Sequence, residues 1–495
     1  MLTKLINYLT PDYQNLKSRT IFLILFSVSF FLRLPFFFRD YIDRDESTFI
    51  IMGQSWVNGH LPYLELWDLK PPLNFLFFAS IIFVFGKSMI AIRFFGVLIV
   101  AVTAFYSYKI TNQISTKKIG FWCAIFCVFF QSLFGSIQGV MSEHISMVFF
   151  MPALYILIKH QQWYWLLFAG FLMGLTTMVK LNMAYPIVLI GLYILYIYFI
   201  KKKFNLGITN SFSFGFGIIL AILLTILPYF LSGNLNLWFN SVIKAPLVYS
   251  DSRRVSILTF LPLFLFLALF VIVSYKTKFI DFKNIKIQLL AIIVIGIVFS
   301  FVKGGRINGH YLIQLYPILL ILLSIFIGSI PFLTRFAHQP LFALLLLLIP
   351  VESYLEYAAI IKNKFENGTF FNGEGIEVPN YILENHLDSK NILFAEYHIG
   401  YWFLDAQPPT KAATHPSSLS KEELFFAYDN PRKNTKEEIQ FILEVKQPSL
   451  IVAKKGDLLL FDTLIKENKY VNAYLEKHYQ PIKIIGEAII YQRLK

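Results

Sequence analysis

The sequence predicts an all-α polytopic membrane domain of about eleven spanning helices, followed by a small soluble α/β domain at the C-terminal end. Three observations carry this prediction. Of the 495 residues, 56% are hydrophobic and only 15% charged, and the mean hydropathy of +0.60 is far above that of a soluble domain. Apolar runs long enough to cross a hydrocarbon core of about 30 Å recur along most of the chain. From about Glu352 onward the composition changes: charged residues, Asn and Pro become frequent, and apolar residues contract into short segments.

Charge and cysteine usage narrow the class further. The net charge of +14 invites a nucleic-acid reading, but the Lys and Arg sit in short clusters between apolar runs, as in cytoplasmic loops facing anionic lipid. No nucleic-acid partner is expected. The two cysteines, Cys123 and Cys127, are four apart in one apolar run, "FWCAIFCVFF". They share one side of a helix and read as packing residues rather than a disulfide or metal pair. Lys4, Lys17 and Arg19 precede the first apolar run, which lacks a small-residue cleavage site, so a retained first helix is expected rather than a signal peptide.

In chain order, the expected spans are roughly 21–38, 89–110, 120–137, 145–158, 163–179, 183–200, 211–231, 255–275, 289–303, 311–330 and 340–358. The run from Pro71 to Gly86, "PPLNFLFFASIIFVFG", reaches only about 24 Å as a helix. If it does not cross, the clusters at Lys117 and Lys118, Lys159, Lys201 to Lys203, and Lys276, Lys278, Lys283 and Lys286 all lie on the side of the basic N-terminus. If it crosses, they all move outside. It is therefore expected to lie in or dip into the interface, with Lys244, Arg253, Arg254, Lys303 and Arg306 left outside. The N-terminus is then cytoplasmic, and an odd number of spans puts the last domain on the extracytoplasmic side. Residues 1–350 form the membrane domain in this reading and 351–495 the soluble one, with "NILFAEY" and "SLIVAKK" as strand-like segments and "TKEEIQFILEVKQ" as a helix.

On this topology, ionisable residues gather at the outer helix ends. The first outer loop holds Asp45 and Glu46 and then Lys70; the next outer turn holds Ser142, Glu143 and His144; Lys180 precedes the sixth span; and "KGGRINGHY" supplies Lys303, Arg306, His310 and Tyr311. Each has a plain structural alternative. Asp45 suits an N-cap of the helical-looking stretch "STFIIMGQSWVNG", Glu143 and His144 suit solvated helix ends, and Lys70 and Lys180 suit interfacial lysines with apolar stems. Co-location favours a functional role, because ionisable groups at membrane depth are costly and mark sites or pathways.

The stretches "RDESTFIIMGQSWVNGHLPYLELWDLKPPLNF", "FGKSMIAIRFFG", "SEH", "VKLNMAYP" and "GHYLIQLYP" resemble the membrane-embedded GT-C glycosyltransferases of the bacterial aminoarabinose transferase and protein O-mannosyltransferase superfamily. The likeness covers roughly residues 20 to 330. Its most specific part is the Asp-Glu pair after the first span with Lys-Pro-Pro following in the same loop. The resemblance implies a GT-C fold, interfacial helices in the first outer loop, Asp45 as catalytic base and Lys70 near the donor phosphate. Glu143 takes the acidic position of the second outer turn, where many relatives carry Asp. A bacterial inner-membrane location goes with it.

The chemistry suits these residue types independently. A transferase on the outer face draws its sugar from a polyprenyl-phosphate donor held by the membrane lipid, so the leaving group is a phosphate. Such a group needs cations more than a proton donor, whereas the acceptor must lose a proton to a carboxylate as it attacks. Asp45 would be that base in an inverting displacement, with Lys70, Arg306 and His310 at the phosphate and Glu46, Glu143 and His144 orienting acceptor or base. Lys180 and Tyr311 are supporting residues. No cofactor is required, no metal ligand is assigned, and a divalent ion on the carboxylates stays open. The acceptor, a lipid such as lipid A, a glycan or a protein, also stays open. Two other classes compete: a transporter or flippase, which expects charges near the bilayer centre, and a polysaccharide polymerase or ligase, which expects a large outer loop late in the chain.

Overall fold

The computed structural model describes residues 13–40, 42–252, 256–305, 308–332, 346–456, 459–460 and 464–494. The fold is an all-α, multi-spanning membrane assembly with a small β-sheet domain near the C-terminus. The chain divides into two compact units: residues 1–36, 93–224 and 253–357 form the first, and residues 37–92, 225–252 and 358–495 the second.

The first unit is a helical bundle. Among the described residues of the chain, six stretches are long and apolar enough to span: Ser18–Phe38, Met89–Asn112, Leu181–Ile200, Phe204–Leu231, Ile257–Thr277 and Ile285–Gly304. Trp163–Val179 and Tyr316–Gly328 are shorter apolar helices of the same bundle. Helix ends follow local chemistry. Thr116 accepts the Ile119 N–H to open Lys117–Phe130, and Asn284 accepts the Lys286 N–H to open Ile285–Gly304, which ends at Gly305 with φ of 64°. Trp163–Val179 approaches Phe204–Leu231 through glycines: a Cβ on Gly170 would meet the Phe214 carbonyl oxygen at 2.0 Å, and one on Gly217 the Leu167 oxygen at 2.1 Å. Small residues at such crossings let backbones touch where lipid provides no hydrophobic drive. Cys123 and Cys127 are buried and unbridged, packed in the core of this bundle.

One expected span is corrected. The apolar run 120–137 is helical only within Lys117–Phe130, and Gly135–Gln138 forms a separate short 3-10 turn. The reason is Arg33, whose buried guanidinium donates to the carbonyls of Gln131, Ile137, Gln138 and Gly139 at 2.7–3.0 Å. Those carbonyls turn inward to a cation instead of continuing the helical ladder. The last expected run, 340–358, falls partly outside the described residues; its described end enters the helix Val351–Asn367.

The second unit gathers three distant pieces of chain. Arg44–Val57 packs on Pro72–Phe85 so closely that a Cβ on Gly53 would meet Phe78 Cβ at 2.8 Å. Pro72 sits in the first turn of its helix, and Gly86, with φ of 69°, ends it. At 14 residues this helix is about 21 Å long, too short to span unaided. The sheet has the order β1-β2-β4-β3, where β1 is Ile392–Phe394, β2 Leu450–Lys454, β3 Tyr479–Ile485 and β4 Ala488–Arg493. β1 and β2 are parallel, and the other pairs are antiparallel. The expected strand segments and the helix after Asn434 are present, and the β3–β4 hairpin adds to them.

Candidate functional site

In the second unit, the fold places a carboxylate beside an ammonium group at the start of Arg44–Val57. Asp43, not Asp45, caps that helix: its side chain accepts the Asp45 N–H at 2.9 Å. The capping alternative for Asp45 is thereby corrected. Asp43 has the extended backbone that lets a side chain fold back over the first turn, whereas Asp45 is already helical and points its carboxylate elsewhere. That carboxylate receives the Lys70 ammonium at 3.1 Å, with side-chain exposures of 29% for Asp45 and 19% for Lys70. Glu46 is buried at 2% exposure.

Lys70 is held from several directions. Its N–H donates to Asp68 at 3.1 Å, its carbonyl accepts the Tyr63 hydroxyl at 2.6 Å, and its ammonium lies 5.2 Å from the Phe49 ring centroid. Burial, with Tyr229 and Asp68 adding to it, pushes the Tyr63 phenol well above its ordinary value, so it remains a donor. Asp68 in turn accepts the Thr414 hydroxyl at 2.7 Å. Trp67 pairs backbone to backbone with Lys411 and Ala413, and its indole donates to Ser241 at 3.1 Å. Arg44 reaches Glu396 at 2.7 Å. The loop bearing Asp45 and Lys70 thus folds with residues of the 225–252 and 358–495 segments. Asp68 and Thr414 were not among the sequence candidates. Asp68 stands two positions before Lys70, a legible signal, but nothing in the sequence pairs it with Thr414.

In the first unit, Glu143 and Lys180 form a buried ion pair at 2.5 Å, with side-chain exposures of 0% and 9%. Ser142 links them, donating to Glu143 at 3.0 Å and accepting from Lys180 at 3.3 Å. The Lys180 ammonium lies 4.8 Å from the Tyr311 ring centroid, and His310 packs edge-on against Tyr311 at 4.8 Å. His144 lies 2.9 Å from the Gln131 carbonyl, one of the Arg33 acceptors, and accepts the Met141 N–H at 3.2 Å. Arg33 was missed by the sequence reading, although an arginine inside an apolar run is itself a signal. Arg306 lies outside the described residues. Among the described residues, no three His, Cys, Asp or Glu side chains gather as metal ligands.

Each unit therefore contains a fixed carboxylate–ammonium pair at the end of an apolar helix or loop. The first, Asp45 with Lys70, is partly open to solvent and suited to proton acceptance and anion binding. The second is closed.

Comparison with known proteins gives the fold. A family profile described as dolichyl-phosphate-mannose-protein mannosyltransferase matches residues 69–235, about a third of the chain, starting one residue before Lys70. No curated protein sequence matches the chain. Among solved structures, ArnT from Cupriavidus metallidurans bound to undecaprenyl phosphate is 12% identical with a TM-score of 0.61, the match covering 96% of this chain and 97% of that one. The same protein in the apo state gives 12% identity and a TM-score of 0.55, covering 97% and 99%. The archaeal oligosaccharyltransferase AglB from Archaeoglobus fulgidus, in complex with an inhibitory peptide and a dolichol-phosphate, gives 11% and 0.50, covering 90% and 70%. The chain has the fold of the GT-C glycosyltransferases, as the sequence resemblance implied.

Proposed function

We propose that this chain is an inverting glycosyltransferase that moves a sugar from a polyprenyl-phosphate donor to a lipid, glycan or protein acceptor at the outer face of a bacterial inner membrane. The observation that carries it is the Asp45–Lys70 pair at 3.1 Å, set in a GT-C fold and freed from capping by Asp43. The ArnT match bound to undecaprenyl phosphate and the mannosyltransferase profile starting beside Lys70 support a phosphate-linked donor.

The step balances without a further reactant. The acceptor oxygen attacks the anomeric carbon, the bond from that carbon to the phosphate oxygen breaks, and its electron pair stays on the polyprenyl phosphate. The acceptor proton passes to Asp45. Lys70 opposes the charge growing on the phosphate, which is where a fixed cation is worth most. In the structure its ammonium rests on Asp45, so an arriving phosphate draws it away and leaves the carboxylate free to take a proton. His310 and Arg306 remain proposed phosphate ligands, and Glu46, Glu143 and His144 proposed orienting groups. With Lys180 committed to Glu143, its proposed part is support.

Two measurements test this. Mass spectrometry of envelope glycans, lipids and glycoproteins from a deletion strain should show one component losing a sugar, restored by the wild-type chain but not by Asp45→Asn. An unchanged envelope would sink the transferase reading. Lys70→Gln should weaken binding of labelled polyprenyl phosphate to protein in nanodiscs and lower turnover together, and Lys70→Arg should retain part of both. Unchanged affinity in Lys70→Gln would remove the phosphate role.

A further inference from the structure

The helix that begins at Asp45 ends at a second polar feature. Its last turns line a concavity that opens to solvent and is bordered on its other side by residues of the 401–407 segment. Ile51, Leu66 and Ala406 contribute an apolar floor. The rim is amide-rich: Gln54 accepts the Trp402 indole N–H at 3.0 Å and donates to Asn58 Oδ1 at 2.9 Å. These bonds hold the Gln54 and Asn58 side chains together, and the Asn58 side-chain amide N–H groups donate to no partner among the described residues. Gln407 is exposed at the rim, and its side chain makes no hydrogen bond among the described residues. Lys87 completes the edge, paired with Asp405 and donating to the Trp402 carbonyl at 2.6 Å.

An apolar floor under a rim of side-chain amides matches one ligand chemistry well. A pyranose ring has an apolar face and a periphery of hydroxyls, each both donor and acceptor, which side-chain amides can answer on both counts. A phosphate is a poorer fit, because the one cation present is already neutralised by Asp405 and engaged by a carbonyl. The location adds a distance: along the helix, at 1.5 Å per residue, Gln54 lies about 14 Å and Asn58 about 20 Å from Asp45.

We infer that this concavity is a carbohydrate subsite that holds a sugar unit of the acceptor, remote from the hydroxyl that reacts at Asp45. The inference rests on the transferase reading and narrows its acceptor to a glycan chain, whether free or lipid-borne, since neither a single sugar nor a lone side-chain hydroxyl reaches both places.

The test uses the full chain in nanodiscs and, as probe, a fluorescently labelled pool of oligosaccharides released by mild acid from the envelope of a deletion strain. Fluorescence anisotropy should show binding to the wild-type protein. Gln407→Ala and Asn58→Ala should each weaken it about tenfold, the scale of hydrogen bonds lost to a ligand. Both side chains are exposed, so neither variant threatens the fold. In a transfer assay the same substitutions should raise the acceptor KM. No binding to the wild-type chain, as expected if a phospholipid headgroup fills the concavity, or equal binding by the rim variants, overturns the subsite. If the pool binds with the expected losses but no sugar is transferred from any polyprenyl-phosphate donor, the subsite stands and the transferase reading falls.

Discussion

Asp43 accepts the Asp45 N–H, so a substitution at Asp45 leaves the cap of Arg44–Val57 in place, and the consequences for chemistry and for folding separate cleanly. Asp45→Asn keeps the side chain's size and loses its ability to take a proton. Turnover should fall by about two to four orders of magnitude. The thermal midpoint should move little, because Asp43 still caps the helix and Asn can still accept a hydrogen bond from the Lys70 ammonium. Near-normal turnover in a sugar-transfer assay would exclude Asp45 as the base. Glu143 behaves differently because its pair with Lys180 is closed to solvent. Removing one partner strands the other charge, so Glu143→Gln should destabilise the chain by about 3–5 kcal/mol. A second change, Lys180→Met, should restore much of that stability. Denaturation of purified protein reads the stability and transfer assays read the activity. A double variant that recovers both would mean that the pair only holds the fold, whereas one that recovers stability alone assigns Glu143 a part in the reaction. Asp45, Lys70 and Glu143 were legible because charge is rare in this chain. Arg33 was equally legible by that criterion, and Thr414 was not, since its bond to Asp68 spans most of the sequence.

At the level of elements, β1 brings a buried pair of histidines into play. His415 Nδ1 lies 3.0 Å from the Ala412 carbonyl, and its Nε2 lies 3.0 Å from the Tyr401 hydroxyl, which itself accepts the Phe394 N–H at 2.9 Å. Nε2 also lies 2.9 Å from the Phe394 carbonyl, so each nitrogen of this buried ring faces a backbone carbonyl. Burial pulls the His415 pKa down to about 4; the two backbone carbonyls oppose that pull, and Arg44 adds to it. His398, stacked edge-on against it at 4.5 Å, is lowered well below its ordinary value, by burial first and then by His415 and Arg44. The unfolded chain therefore binds more protons than the folded one between about pH 6.5 and about pH 4. The stability is full above pH 6.5 and drains away as pH falls through that window, by about 3 kcal/mol for His415 alone. Thermal unfolding of the full chain between pH 7.5 and 4.5 should show this slope, and His415→Gln should flatten it; an unchanged slope would mean that other groups set it. Which elements exist was largely readable, because an apolar run of spanning length leaves the backbone few options other than a helix. Where they end was less readable. Nothing in "CVFFQSLFGSIQG" announces that its carbonyls will be claimed by Arg33, far away in the chain. The β3–β4 hairpin did carry a signal in Gly486, whose φ of 54° suits a tight turn, but Pro481 interrupts the strand pattern before it.

At the scale of the whole molecule, composition shows a greasy chain with a polar end, yet the second compact unit takes in the loop 37–92 and the segment 225–252 as well as that polar end. Composition cannot show this, because the joins are single contacts between distant residues: Asp40 accepting the Gly375 N–H at 2.5 Å, Arg44 on Glu396, Trp67 paired with Lys411 and Ala413. Those joins make topology testable from either piece, since the loop carrying Asp45 and the residues around Gln407 belong to one folded body and must face the same side of the membrane. Engineered cysteines give the measurement, with Cys123 and Cys127 buried and so shielded from reagent. In intact cells, a membrane-impermeant maleimide should label a cysteine at Gln407 and another at His60, both exposed. It should fail at Lys202, in the basic cluster expected on the cytoplasmic side, until the membrane is permeabilised. Labelling at Lys202 without labelling at Gln407 would invert the orientation and place Asp45 on the cytoplasmic side, where nucleotide-activated sugars are at hand and the argument for a polyprenyl-phosphate donor loses its premise.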